Sequence, residues 1–168
     1  MSYPRKEYNP DQPKKYWSLA EAKVRIASFC AYQERYQQEV RDKLHERGIY
    51  GEDAEELIAY MINEGFLNEE RFAQAFVRGK FRIKKWGRNK ILQELKFRQI
   101  SPYCIKSGMK EIEADEYWET LIQLVDKKAS LIKESDDFKK RYKIHQYLIG
   151  RGFENDLIQN AIETIFSK

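Results

Sequence analysis

Leu44-His45-Glu46-Arg47-Gly48-Ile49 returns as Leu95-Lys96-Phe97-Arg98-Gln99-Ile100 and again as Leu148-Ile149-Gly150-Arg151-Gly152-Phe153. In each phrase a leucine lies four residues before a turn position, and the three copies start about fifty residues apart. Gly48 and Gly152 suit the position just past a helix end, where φ is positive and the missing Cβ removes the steric penalty. Gln99 holds the same place in the middle copy, so it must take that turn with more strain or by another geometry.

The residues after each turn repeat as well. Ala54, Ile58 and Met61, then Ile105, Met109 and Ile112, then Ile158, Ile162 and Ile165 all fall at i, i+4, i+7, one face of a helix. Each of these helices carries a start signal: Glu52 or Asp53 in a first turn, Ser101-Pro102 as N-cap and N1, and Asn155 as N-cap. A third helix follows in two copies, from Asn68 to about Lys84 and from Asp115 to about Lys133, whereas the last copy stops after its second helix.

Working outward, Ser18 and Glu21 form a capping box that opens a leading helix with Ala22, Ile26, Phe29 and Cys30 at helical spacing, ending near Tyr36. Residues 1–16 hold three of the four prolines among polar side chains and read as a flexible, basic-leaning arm. No segment alternates with period two between turn residues, so no sheet is expected. A two- or three-helix unit of this size buries too little surface alone, so neighbours must stack. The expected fold is all-α, an elongated tandem array: an arm over 1–16, a leading helix over 17–36, and repeats over 37–85, 86–134 and 135–168.

With 35% charged and 42% apolar residues, the chain has the composition of a folded helical protein. No window approaches the ~20 apolar residues of a membrane span, and no apolar run follows the basic start, so a cytoplasmic protein is expected. Cys30 and Cys104 lack Cys or His neighbours at ligand spacing and read as buried thiols. His45 and His145 lie among ordinary helix formers, and the eight glycines make no phosphate-cradling loop. Nothing supplies a catalytic constellation.

Charge is the stronger signal. Between positions 78 and 98 stand nine basic residues, Arg78, Lys80, Arg82, Lys84, Lys85, Arg88, Lys90, Lys96 and Arg98, against Glu94 alone, a local net of +8. Residues 39–71 carry a net of −6. Phe81, Trp86 and Phe97 are interleaved with the cations, a mixture able to hold phosphates by charge and bases by stacking. The position of Trp86 at a helix junction favours packing instead. A smaller run, Lys139, Lys140, Arg141 and Lys143, can extend the basic surface.

The string Glu64-Gly65-Phe66-Leu67-Asn68-Glu69-Glu70-Arg71-Phe72-Ala73, continued by Phe76-Val77-Arg78, resembles the signature of the RecX family. Gly87-Arg88-Asn89-Lys90-Ile91, with Leu95 and Ile100, is similar to that family's next conserved string, and Tyr36, Glu39, Lys43, Leu44 and Gly48 resemble its opening helix. The likeness runs from about residue 20 to the C-terminus. It departs at Glu69, usually Asp, at Arg88 or Asn89, usually Pro, and at Gln99, usually Gly. The resemblance implies a regulator without a cofactor that lies in the groove of the RecA–DNA filament and restrains its recombinase, ATPase and coprotease activities; a monomer is expected. The expected contacts to protein or DNA are Arg78, Lys80, Arg82, Lys84, Lys85, Arg88, Lys90, Arg98, Lys139, Lys140 and Arg141. The alternative is a protein that binds nucleic acid, single- or double-stranded, without the recombinase.

Overall fold

A computed structural model describes residues 16–168, so the expected arm, Tyr16 apart, lies outside the described residues. Those residues form nine helices and no strand: α1 (Leu19–Tyr32), α2 (Gln37–Glu46), α3 (Gly51–Asn63), α4 (Glu69–Arg82), α5 (Arg88–Phe97), α6 (Pro102–Met109), α7 (Ala114–Leu131), α8 (Asp137–Gly150) and α9 (Asn155–Phe166). The all-α repeat architecture expected from the phrases is the one observed.

The repeated phrase has one structural meaning in all three copies. At α2–α3 the Ile49 N–H donates to the Leu44 carbonyl and the Gly48 N–H to that of His45. At α5–α6 the Ile100 N–H donates to the Leu95 carbonyl and the Gln99 N–H to that of Lys96. At α8–α9 the Phe153 N–H donates to the Leu148 carbonyl and the Gly152 N–H to that of Ile149. This is the Schellman closure, in which paired bonds satisfy the last carbonyls and an apolar residue beyond the turn folds back on the helix. Leu44, Leu95, Leu148 and Phe153 are fully buried, and Ile49 and Ile100 are nearly so. Burying each leucine contributes about 2 kcal/mol.

Gly48 and Gly152 take φ of +85° and +93°, and Gln99 takes +59°. The glutamine therefore adopts the glycine geometry and bears the strain of a left-handed residue with a Cβ. Gln99→Gly is expected to stabilise the protein by about 1 kcal/mol, seen as a higher midpoint in thermal or urea unfolding.

Several helix ends differ from expectation for local reasons. α1 stops at Tyr32 and not near Tyr36, because the Arg35 Nε donates to the Phe29 carbonyl and the chain extends through Gln33. Glu154, not Asn155, is the N-cap of α9, and its carboxylate is engaged elsewhere, as described below. α6 ends at Met109, so the buried Ile112 follows the helix instead of riding on it. The capping box of Ser18 and Glu21, the Asn68 cap of α4 and the Ser101-Pro102 start of α6 form as their residues dictate.

By contact the helices gather as α1–α2–α3, α4–α5–α6 and α7–α8–α9. The first group lies in one compact unit ending at Leu67, and the other two share a second unit, residues 68–168. In the first unit Ile26, Val40, Leu44, Ile58 and Met61 make the core. Cys30 joins it, and burial pushes its thiol up to about 11; Cys104 is half-buried and unpaired. In the second unit α6 crosses α4 closely, since a Cβ on Gly108 would meet the Ala73 backbone at 2.9 Å.

Candidate interaction surface

The basic stretch divides by helix geometry. Residues two apart on an α-helix point about 200° apart, so Arg78 and Arg82 share one side of α4 while Lys80 takes the other. The arginines meet acids: Arg78 Nη1 lies 3.3 Å from Glu111 Oε1, and Arg82 Nε lies 3.3 Å from Glu116 Oε1. Lys80 points to the α4–α5 turn. There the Lys85 N–H donates to the Phe81 carbonyl and the Trp86 N–H to that of Lys80, with Lys85 at a φ of +57°. The turn brings the Trp86 ring back beside α4. Lys80 Nζ stands 4.7 Å and Lys90 Nζ 4.3 Å from its centroid, so the half-buried indole fills the junction with two ammonium groups against it. Lys84 and Lys85 are exposed.

Arg88 is built into the frame of the second unit. Its guanidinium lies 3.9 Å from the Tyr117 ring centroid and its Nη1 is 3.2 Å from Glu154 Oε2. The Tyr117 hydroxyl accepts the Arg88 backbone N–H at 3.1 Å and donates to Glu154 Oε1 at 2.7 Å. Burial holds the phenol well above its ordinary range. Beside this triad the Gly87 N–H donates to the Arg151 carbonyl at 2.8 Å and the Asn89 N–H to that of Gly152 at 2.9 Å. The free amides that open α5 are thus capped by the α8–α9 turn. Tyr117→Phe keeps the ring but removes an acceptor and a donor in a half-buried network, and is expected to cost about 1–3 kcal/mol in urea unfolding.

Arg98 pairs with Glu94 at 2.7 Å and Arg141 with Asp137 at 2.9 Å. Lys143 lies 3.3 Å from Glu134. Lys139 and Lys140 stand in the first turn of α8, the former exposed and the latter half-buried. The arginines of the expected contact set are therefore paired within the chain, and such exposed pairs each contribute at most about 1 kcal/mol. An anionic partner with good geometry can displace them.

One member of the cluster was not among the expected contacts. The Arg151 guanidinium donates to the Lys84 carbonyl and sits 6.0 Å from the Tyr147 ring, which also carries Lys128 Nζ at 4.1 Å. A signal for it exists in the repeat phrase, which puts arginine at the same place in every copy: Arg47, Arg98 and Arg151. Lys80 and Lys90 thus flank Trp86, Lys84 and Lys85 stand in the same turn and Arg151 bonds to its backbone, and among the described residues no carboxylate is paired with these five cations. Aromatics of the basic stretch separate too, since Phe81 is buried whereas Phe97 is 84% exposed.

Among the described residues no group of His, Cys, Asp and Glu could hold a metal ion, and no helix is long and apolar enough to cross a membrane. His45 lies 5.2 Å, centroid to centroid, from the Tyr50 ring, and His145 faces Asn155.

Residues 68–109 match the family description "RecX, second three-helix domain" and residues 115–162 match "RecX, third three-helix domain", together more than half of the chain. The regulatory protein RecX of Clostridium perfringens strain 13 is 27% identical over 131 residues, which are 77% of this chain and 61% of that protein. That of Bacillus cytotoxicus is 23% identical over 147 residues, 88% of this chain and 54% of that one. The chain therefore spans little more than half the length of these curated relatives. The crystal structure of RecX from Lactobacillus salivarius superposes with a TM-score of 0.81 over 89% of this chain and 97% of that one, at 23% identity, so the fold is shared. Matched across two successive three-helix groups and alike in fold, the chain belongs to the RecX family of regulatory proteins.

Proposed function

We propose that this protein binds the RecA filament, lodging in its groove, and restrains the recombinase, ATPase and coprotease activities by occupancy and not by catalysis. The observation that carries the reading is the cluster Lys80, Lys84, Lys85, Lys90 and Arg151, whose cations none of the described carboxylates neutralises. Like charges held together on a folded surface repel one another and draw anionic partners. Complementary charge across an interface speeds encounter and fixes register. Membership of the RecX family and the filament role that the resemblance implies supply the partner; the cluster supplies the face.

Phe97, exposed in the same basic stretch, favours a second reading in which the protein holds single-stranded nucleic acid directly, because an open ring can stack a base. DNA-stimulated ATP hydrolysis by RecA on single-stranded DNA separates the two. Under the filament reading, substoichiometric amounts of the protein reduce turnover. Unchanged turnover, with bare DNA still bound, supports the second reading.

A further inference from the structure

We propose that the α1–α2 face of the first unit is a docking site for an acidic peptide segment of a partner protein. This surface is separate from the lysine cluster, and either assignment can fail with the other intact.

A cavity of about 460 Å³ opens there, lined chiefly by Trp17, Arg25, Phe29, Tyr32, Arg35 and Lys43, with no carboxylate in its lining. The lining is therefore basic, although the sequence around it reads as acidic. Glu52, Asp53, Glu55 and Glu56 are exposed on α3, and Glu39 and Glu46 of α2 stand beside Arg35 and Lys43 without entering the lining.

The cations are held in place by rings. The Trp17 backbone N–H donates to the Arg47 carbonyl at 3.1 Å, which fixes the indole against the α2–α3 turn. Arg25 and Arg47 then set their guanidinium carbons 5.8 and 5.4 Å from its centroid. Arg35 lies 3.7 Å and Lys43 5.8 Å from the Phe29 centroid. Arg35 and Lys43 are occupied, since Arg35 pairs with Glu39 at 3.0 Å and Lys43 with Glu46 at 3.7 Å. Arg25 has no ion pair among the described residues, so its guanidinium is open to a carboxylate. Tyr32, 83% exposed at the rim, supplies an apolar contact with a polar tip, a side chain favoured at protein interfaces.

These features select a peptide over a nucleic acid. A strand needs a series of open ring faces to stack successive bases on, and with cations on the Trp17 and Phe29 rings only Tyr32 is left open here. A guanidinium placed against a ring still presents its N–H fork outward, the geometry that matches a carboxylate. The concave aromatic floor takes one apolar or aromatic anchor, with acidic neighbours meeting Arg25, and Lys43 in exchange for Glu46, at the rim.

The test selects a random peptide-display library on the full chain and on the Arg25→Glu/Lys43→Glu variant, with retained helicity checked by circular dichroism. Enriched peptides are expected to carry Asp or Glu beside an aromatic or aliphatic residue. The double variant is expected to bind them at least about tenfold more weakly. In nuclear magnetic resonance spectra of the full chain, a selected peptide is expected to move the Trp17 indole N–H signal, identified by its loss in Trp17→Phe, while oligodeoxythymidylate leaves it in place. The proposal is overturned if the enriched peptides lack acidic residues, if the double variant binds them equally well, or if the oligonucleotide moves the Trp17 signal as the peptide does.

Discussion

Replacing Lys80, Lys84, Lys85 and Lys90 together by Glu is expected to weaken binding to the RecA filament by at least about a hundredfold. Exposed charge pairs contribute up to about 1 kcal/mol each, and a reversal removes an attraction and adds a repulsion. Four reversals at somewhat less than that amount total about 3 kcal/mol, or about two decades in affinity. The fold should survive with a modest loss: Lys80 and Lys90 give up their contacts with Trp86, each worth about 0.5–1 kcal/mol at an exposed site, while Lys84 and Lys85 leave no ion pair behind. Neutralising Arg78 and Arg82 to Gln is expected to do much less, because those guanidinium groups already meet Glu111 and Glu116. A loss from Arg78 and Arg82 about a quarter as large in free energy as that from the lysines, in proportion to the charge changed, measured by fluorescence anisotropy on labelled filaments, would show that gross charge and not the lysine cluster determines binding.

The largest expected loss of stability belongs to Gly152→Ala. At a φ of +93° a Cβ would stand 2.3 Å from the Lys90 Cβ and 2.5 Å from its backbone nitrogen. The backbone is poorly placed to retreat, because the Gly87 and Asn89 amides are bonded to the carbonyls of this turn. Left-handed strain of about 1–2 kcal/mol adds to overpacking of about 1–3 kcal/mol, so the variant should lose about 2–5 kcal/mol in urea unfolding. Gly65→Ala isolates the backbone part, since Gly65 has a φ of +77° and no neighbour within 4 Å of the added carbon. Its cost should be about 1–2 kcal/mol. Matching losses in the two variants would mean that the α5 junction on the α8–α9 turn is looser than its geometry states.

The turns were the most legible part of this chain, because their physics is local. A buried leucine, a residue at positive φ and an apolar return lie within six positions, and the closing hydrogen bonds repeat in all three copies. Gln99 shows how strong that signal is: a residue without glycine's freedom still takes the glycine geometry. A repeat period sets the spacing of copies but not the helix at which a unit begins; contact, as between Gly108 and Ala73, groups the helices.

The surface was legible only as a sum of charge. Counting cations between positions 78 and 98 cannot tell Arg78, turned toward Glu111, from Lys80, turned toward Trp86, because the acids that claim the arginines come from more distant parts of the chain. The Arg88–Tyr117–Glu154 triad joins three separated segments and has no local signature. The cationic cavity beside Trp17 was hidden for a similar reason, since acids on α2 and α3 dominate the count around a lining that holds none of them.

Filament binding is tested most directly by comparing the affinity of the full chain for RecA filaments on single-stranded DNA with its affinity for the same DNA bare, across a series of salt concentrations. Binding is expected to be clearly tighter to the filament, with bare-strand binding weak and lost as salt rises. Binding that is equally tight on bare DNA, with a steep salt dependence and no gain from RecA, would contradict it.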